Sequence, residues 1–294
     1  MNILMIHGVD TNEDANPNPY AAWQTAITNG LNSAGFGGPI NADPVANGSR
    51  YNDIFDKYPD NPILDAIAVT ELLASAGWHA VTGAVSEAQL AAVPPPAQPG
   101  NGPLDSIRWT AGMVSPWVVE SGLRSACRDR LVQQIQAVNP DVIIAHSLGT
   151  LLAYDLFVND ERGKTVFPNG IFVTFGSQIA NPFVASKVWP GGDVEAIPVK
   201  MWYNLYNPND PVFVSPITLA ASNFHQFTIN PPFGNPVMDV SAHEATTGSG
   251  HPGYLDNPTT NANLWPALAG GTTANLIAKK IRIMKRVPRM LVPA

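Results

Sequence analysis

One serine of this chain stands where a serine can become a nucleophile. Residues 141–150 read Asp-Val-Ile-Ile-Ala-His-Ser-Leu-Gly-Thr, and residues 151–157 continue as Leu-Leu-Ala-Tyr-Asp-Leu-Phe. A short apolar run, a break at Ala145-His146-Ser147-Leu148-Gly149 and a second apolar run predict strand, tight turn and helix, with Ser147 at the apex. Such a turn forces its central residue into a strained conformation and lifts the side chain above the sheet edge. The small residues two before and two after it, Ala145 and Gly149, let neighbouring backbones approach. A serine so placed also sits at a helix N-terminus, where free N–H groups and the helix dipole favour a developing negative charge. The chemistry available there is nucleophilic attack through a covalent intermediate. A serine hydroxyl needs a base for that, and an imidazole near its ordinary pKa of about 6.5 can take the proton at neutral pH.

The A-x-S-x-G turn between a strand and an apolar helix resembles the nucleophile elbow of the α/β-hydrolase superfamily, whose commoner form is G-x-S-x-G. The resemblance spans roughly residues 1–256. It implies a mostly parallel sheet flanked by helices and a triad in the chain order serine, carboxylate, histidine, on loops after successive strands. After the elbow, residues 170–177 and 199–206 read as strands, and the second runs into the turn-rich Asn207-Pro208-Asn209-Asp210-Pro211. Asp210 thus falls at the carboxyl end of a strand, where sites of open α/β sheets collect, and it is the expected acid. Asp160, Glu161 and Asp193 are poorly placed beside it.

Of the six histidines, His7, His79 and His146 precede Ser147, and His225 opens a further strand-like run as a structural residue. His251 lies in the glycine-rich Gly248-Ser249-Gly250-His251-Pro252-Gly253-Tyr254, a loop suited to carrying an imidazole over the serine. Its His-x-x-Tyr spacing is similar to the ending of lipase-like members. His251 is the expected base, with His243, beside Glu244, as the alternative. The resemblance also implies an oxyanion hole. Residues 2–6 read as a strand followed by His7-Gly8-Val9, so the donors are the N–H groups of Val9 and Leu148.

These groups need a scaffold to hold them. The chain has 294 residues, enough for one α/β domain with a full core. The strand before His7-Gly8 is the first in the chain, so two leading strands of the superfamily are missing. The expectation is an α/β-hydrolase fold reduced at the N-terminal side, over residues 1–278. Helices are predicted over 20–31, 61–78 and 117–138 from apolar spacing. Residues 83–104 carry Pro94-Pro95-Pro96 and Gly100-Asn101-Gly102-Pro103, which exclude a regular element. They read either as part of a cap over the site or as a surface excursion.

Charged residues are only 13% of the chain against an ordinary value of about 25%. No run reaches the roughly 18 apolar residues of a membrane span, and the first apolar run is needed for the fold instead of serving as a signal peptide, so a cytoplasmic location is expected. Cys127 is alone, which excludes a disulfide framework and a cysteine-based metal site. No histidine pair has ligand spacing with a carboxylate, and no cofactor is expected. Residues 279–294 form a basic tail: Lys279, Lys280, Arg282, Lys285, Arg286 and Arg289 are six of the 16 basic residues. Interleaved with Ile281, Ile283, Met284 and Val287, they read as a terminal helix or as a weak contact surface for an anionic membrane or acidic partner. The acidic remainder speaks against nucleic acid.

The sequence therefore points to a serine hydrolase cleaving a small carboxylic ester with an apolar acyl group. Ser147 is the nucleophile, His251 the base and Asp210 its orienting acid. Thioesterase, amidase and acyltransferase chemistry use the same groups, and a binding protein on a hydrolase scaffold is the rival of another class.

Overall fold

The strands of this chain are apolar on both faces, and in the computed structural model both faces of the sheet are covered. The structure describes residues 1–8, 20–58, 113–210, 215–229, 243–247 and 252–270. Six parallel strands form one sheet in the order β2-β1-β3-β4-β5-β6. They are β1 (Ile3–Gly8), β2 (Gly48–Arg50), β3 (Val142–His146), β4 (Ile171–Phe175), β5 (Met201–Tyr206) and β6 (Phe224–Thr228). Alternate residues of each strand enter opposite cores. Ile3, Met5, Val142, Ile144, Val173 and Phe175 pack under α1 (Tyr20–Ser33) and the last described helix, Pro258–Ala269. Leu4, Ile6, Ile143, Ala145 and Phe172 pack on the other side. There they meet the Ser121–Val138 helix and the helix that follows β3, Leu148–Asn159. In chain order the helices are α1, α2 (Asn52–Phe55), α3 (Ser121–Val138), α4 (Leu148–Asn159), α5 (Gly163–Val166), α6 (Pro182–Val188) and α7 (Pro258–Ala269).

The chain is thus an α/β protein with an all-parallel sheet, and the order places a switch point between β1 and β3. From β1 the chain steps outward to β2, then returns to the other side of β1 to add β3 to β6. Open α/β sheets bind their ligands in the crevice outside the carboxyl ends of the strands at such a point. Here those ends are His7-Gly8 of β1 and His146-Ser147 after β3.

Two expectations change. Residues 117–138 do not form one helix: residues 113–119 are helical, Glu120 is extended (φ −94°, ψ 96°), and α3 starts afresh at Ser121. The break is stabilised by Arg124, whose guanidinium donates to the carbonyls of Trp117 and Val118 that a continuous helix would have used. The second change is β2, three residues with no apolar signature, which covers the edge of β1 in register Met5↔Gly48 and Ile6↔Ser49. The buried Ser49 carbonyl accepts from Tyr20 Oη, which in turn accepts from the His7 N–H at 2.9 Å. The expected helix over 61–78, the segment 83–104 and the basic tail 279–294 lie outside the described residues. Among the described residues no helix is long and apolar enough to cross a membrane.

Candidate active site

Ser147 is the hinge between β3 and α4, with φ 51° and ψ −129°. Among the described residues only Asn139 shares a positive φ without being glycine. A serine held there costs on the order of 1–3 kcal/mol, and the surroundings must impose it. They do so from three sides. The Ser147 N–H donates to Phe175 O at 3.2 Å, and its carbonyl accepts from the Thr150 N–H at 2.9 Å and the Thr150 hydroxyl at 2.7 Å. Gly149 sits against β1, where a Cβ would come within 2.4 Å of the Ile6 carbonyl oxygen. Only glycine lets α4 begin this close to the strand. Ala145 is buried in β3, in register between Ile6 and Thr174. Leu148 is the first residue of α4, so its N–H is one of the helix-end donors that have no partner inside the helix. Val9, the other expected donor, lies outside the described residues.

Asp210 follows β5 through a turn in which its N–H donates to Asn207 O at 3.2 Å and Asn209 N–H donates to Asn207 Oδ1 at 3.0 Å. Its side chain is fully buried, and Oδ2 accepts two strong hydrogen bonds. His243 Nδ1–H donates at 2.7 Å and Tyr254 Oη–H donates at 2.7 Å. A carboxylate can only accept, so His243 carries its proton on Nδ1 and leaves Nε2 with a lone pair when neutral. Tyr254 is buried, and burial first, then the charge of Asp210, holds its phenol well above the ordinary range. It stays a hydrogen-bond donor at any physiological pH.

The imidazole paired with the acid is therefore His243, the alternative in the sequence reading, while His251 lies outside the described residues. The structure brings His243 to the elbow through His146. The His146 and His243 ring centroids are 4.5 Å apart, and His146 Nε2–H donates to the His243 carbonyl at 2.8 Å. Among the described residues no hydrogen bond joins Ser147 Oγ to an imidazole; catalytic contacts are commonly long before substrate is bound. Ser147 is 8% exposed and the His243 side chain 16%, so neither is fully closed off from solvent.

Sequence reasoning ranked one member of this arrangement second and missed the roles of two others. His243 stood second because its partner Asp210 is 33 residues away in the chain, and the Glu244 carbonyl beside it accepts from the Tyr254 N–H. Tyr254 was noticed for its spacing from His251, whereas its hydroxyl serves Asp210. His146 turns inward, stacked on Phe175 at 4.7 Å and edge-on to His7 at 5.0 Å. Burial, then His243 and His7, hold it well below the usual imidazole range. His225 is an exposed residue of β6 lying over Tyr203. Cys127 is buried in α3, and burial pushes its thiol up to about 12, which leaves no thiolate at neutral pH. Among the described residues no group of three or more His, Cys, Asp or Glu is placed to hold a metal ion. No known protein family, curated protein or solved structure matches the chain.

Proposed function

We propose that this protein is a serine hydrolase of α/β-hydrolase fold that cleaves carboxylic esters through an acyl-enzyme on Ser147. The observation that carries the reading is the conjunction of a serine at φ 51° on a strand-to-helix turn with a buried Asp210–His243 pair tied to the residue before it. A strained serine alone, or a buried Asp–His pair alone, has structural explanations. Their meeting at the switch point of a parallel sheet is what nucleophilic catalysis requires. The strand order, with β1 carrying His7-Gly8 beside the elbow strand, supports this reading.

In this reading Ser147 Oγ attacks the ester carbonyl carbon while its proton passes to His243 Nε2. Asp210 holds the Nδ1–H tautomer and stabilises the imidazolium. The negative charge that develops on the carbonyl oxygen is met by the Leu148 N–H at the start of α4 and by the Val9 N–H. One such donor contributes about 2.7–4 kcal/mol to the transition state. Collapse of the tetrahedral intermediate expels the alcohol, protonated by His243. A water, deprotonated by the same Nε2, then attacks the acyl-enzyme and releases the acid. The low charge of the chain favours an apolar acyl group.

Intact-mass spectrometry after treatment with a fluorophosphonate probe tests the reading. One adduct on the wild type, lost in Ser147→Ala and in His243→Ala but kept in His251→Ala, is the expected pattern. Loss in His251→Ala with retention in His243→Ala would move the base to His251. No adduct on the folded wild type would remove the hydrolase and leave a binding protein on this scaffold.

A further inference from the structure

His146 is a histidine where packing alone asks for a phenylalanine. Its ring lies flat on Phe175, at 21° between planes, and edge-on to Trp23 and His7. In that apolar setting its Nδ1 is buried and has no hydrogen-bond partner. A side chain selected for volume would carry no such unmatched nitrogen. The nitrogen on the other side of the ring accounts for the residue. A carbonyl oxygen can only accept, so the 2.8 Å contact between His146 Nε2 and His243 O fixes His146 as the Nε2–H tautomer. Burial and the neighbouring imidazoles of His7 and His243 keep it neutral.

We infer that His146 is a positioning residue: its hydrogen bond to the main chain of His243 holds the loop carrying the base against the strand carrying the nucleophile. The inference rests on Ser147 and His243 being nucleophile and base. Three further observations support it. His146 immediately precedes Ser147, so the tie is anchored at the elbow itself, across 97 residues of chain. The ring cannot swing away, because Gly176 (φ 56°) presses its backbone onto both imidazoles. A Cβ there would come within 2.9 Å of His146 Cδ2, His146 Nε2 and His243 Cε1. Finally, His243 is gripped at both ends, its ring by Asp210 and its carbonyl by His146. The Asp210 bond alone leaves the imidazole free to pivot about Nδ1; the second bond stops the pivot and aims Nε2.

The test replaces the donor while keeping the volume. His146→Phe retains the ring and removes the N–H, whereas His146→Gln places an amide N–H at nearly the reach of Nε2. With p-nitrophenyl butyrate as probe, the Phe variant should lower kcat at least tenfold with KM within about twofold, and Gln should restore kcat to within about threefold of wild type. A folded Phe variant with wild-type kcat overturns the inference, as does a Gln variant no better than Phe. Should the Phe variant fail to fold, histidine-selective ¹⁵N NMR of the wild-type chain decides. His146 is expected as the neutral Nε2–H tautomer, and an Nδ1–H tautomer overturns the tie outright. Failure of the underlying reading looks different: the NMR signature present, with neither ester turnover nor fluorophosphonate adduct in wild type. That outcome leaves the bond as a structural one only.

Discussion

Across β4, β5 and β6, Trp202 Nε1–H donates to Thr174 Oγ1 at 2.9 Å and Thr174 Oγ1–H donates to Asn204 Oδ1 at 2.8 Å. Asn204 Nδ2–H then donates to Gln226 Oε1 at 2.8 Å. One register step further along, where Phe175 pairs with His146, a second buried polar network joins Asp210, Tyr254, His243 and His146. The first network crosses three adjacent strands and is closed, since none of those atoms is left buried without a partner. The second draws on a strand end and three loops, and it is left open. His243 Nε2 makes no hydrogen bond among the described residues, and His146 Nδ1 is buried without a partner. Each unmatched buried polar group costs about 1–3 kcal/mol, a cost that the first network avoids. On the proposed reading the base must hold back its Nε2 lone pair, and this open network lies beside the switch point.

The largest expected effect breaks the open network at its nucleophile. Ser147→Ala should lower ester turnover on the order of 10⁶-fold without loss of stability, measured by single-turnover kinetics beside urea unfolding. Relief of the positive φ is not part of that change, since alanine inherits the same backbone. Asp210→Asn should cost about 10⁴-fold in kcat, because an amide presents the wrong hydrogen-bond partner to His243 Nδ1–H. The closed network should respond in the opposite way. Thr174→Val removes the acceptor of Trp202 N–H and should lower unfolding stability by about 1–3 kcal/mol, leaving the fluorophosphonate rate of the folded protein unchanged. A large rate loss there would erase the distinction between the two networks.

The smallest effect is a pH slope. The imidazole of His146 is held below its ordinary range in the folded chain and titrates near 6.5 when unfolded. Below about pH 6.5 the unfolded chain therefore binds a proton that the folded chain refuses. Stability should be full above that pH and fall as the pH drops through it, by at most about 1.4 kcal/mol per unit. Urea midpoints between pH 7.5 and 5 check this: His146→Gln should flatten the slope and Thr174→Val should not.

The parts legible in the sequence are those coded by neighbours. The apolar runs of β1, β3, β4 and β5 and the start of α1 at Tyr20 fell where patterning put them. The turn at Ser147, with Gly149 two residues on, was readable because strand, turn and helix are contiguous. The break at Glu120 was not, since it depends on Arg124 reaching back to two carbonyls. Nor was β2, whose three residues owe their strand geometry to the edge of β1 and whose Ser49 is buried with no apolar signal. The pairing of Asp210 with His243 was invisible for the same reason. His251 ranked first on its glycine-rich loop and its spacing from Tyr254, whereas the contact of His243 with Asp210 comes from residues 243–247 folding against Tyr254 and Leu255.

The tie from His146 to His243 also orders events in the life of the chain. Ribosomes add roughly 5–20 residues per second, so the 97 residues between the two ends of that bond take about 5–20 s to make. Once Phe175 has been made, the nascent chain can carry a finished elbow with no base beside it for the rest of that interval. On the proposed reading the serine is harmless to cellular esters until the sheet is complete and the last loop has closed. Onset of probe labelling during translation is accordingly a clock for the end of folding, not for its beginning.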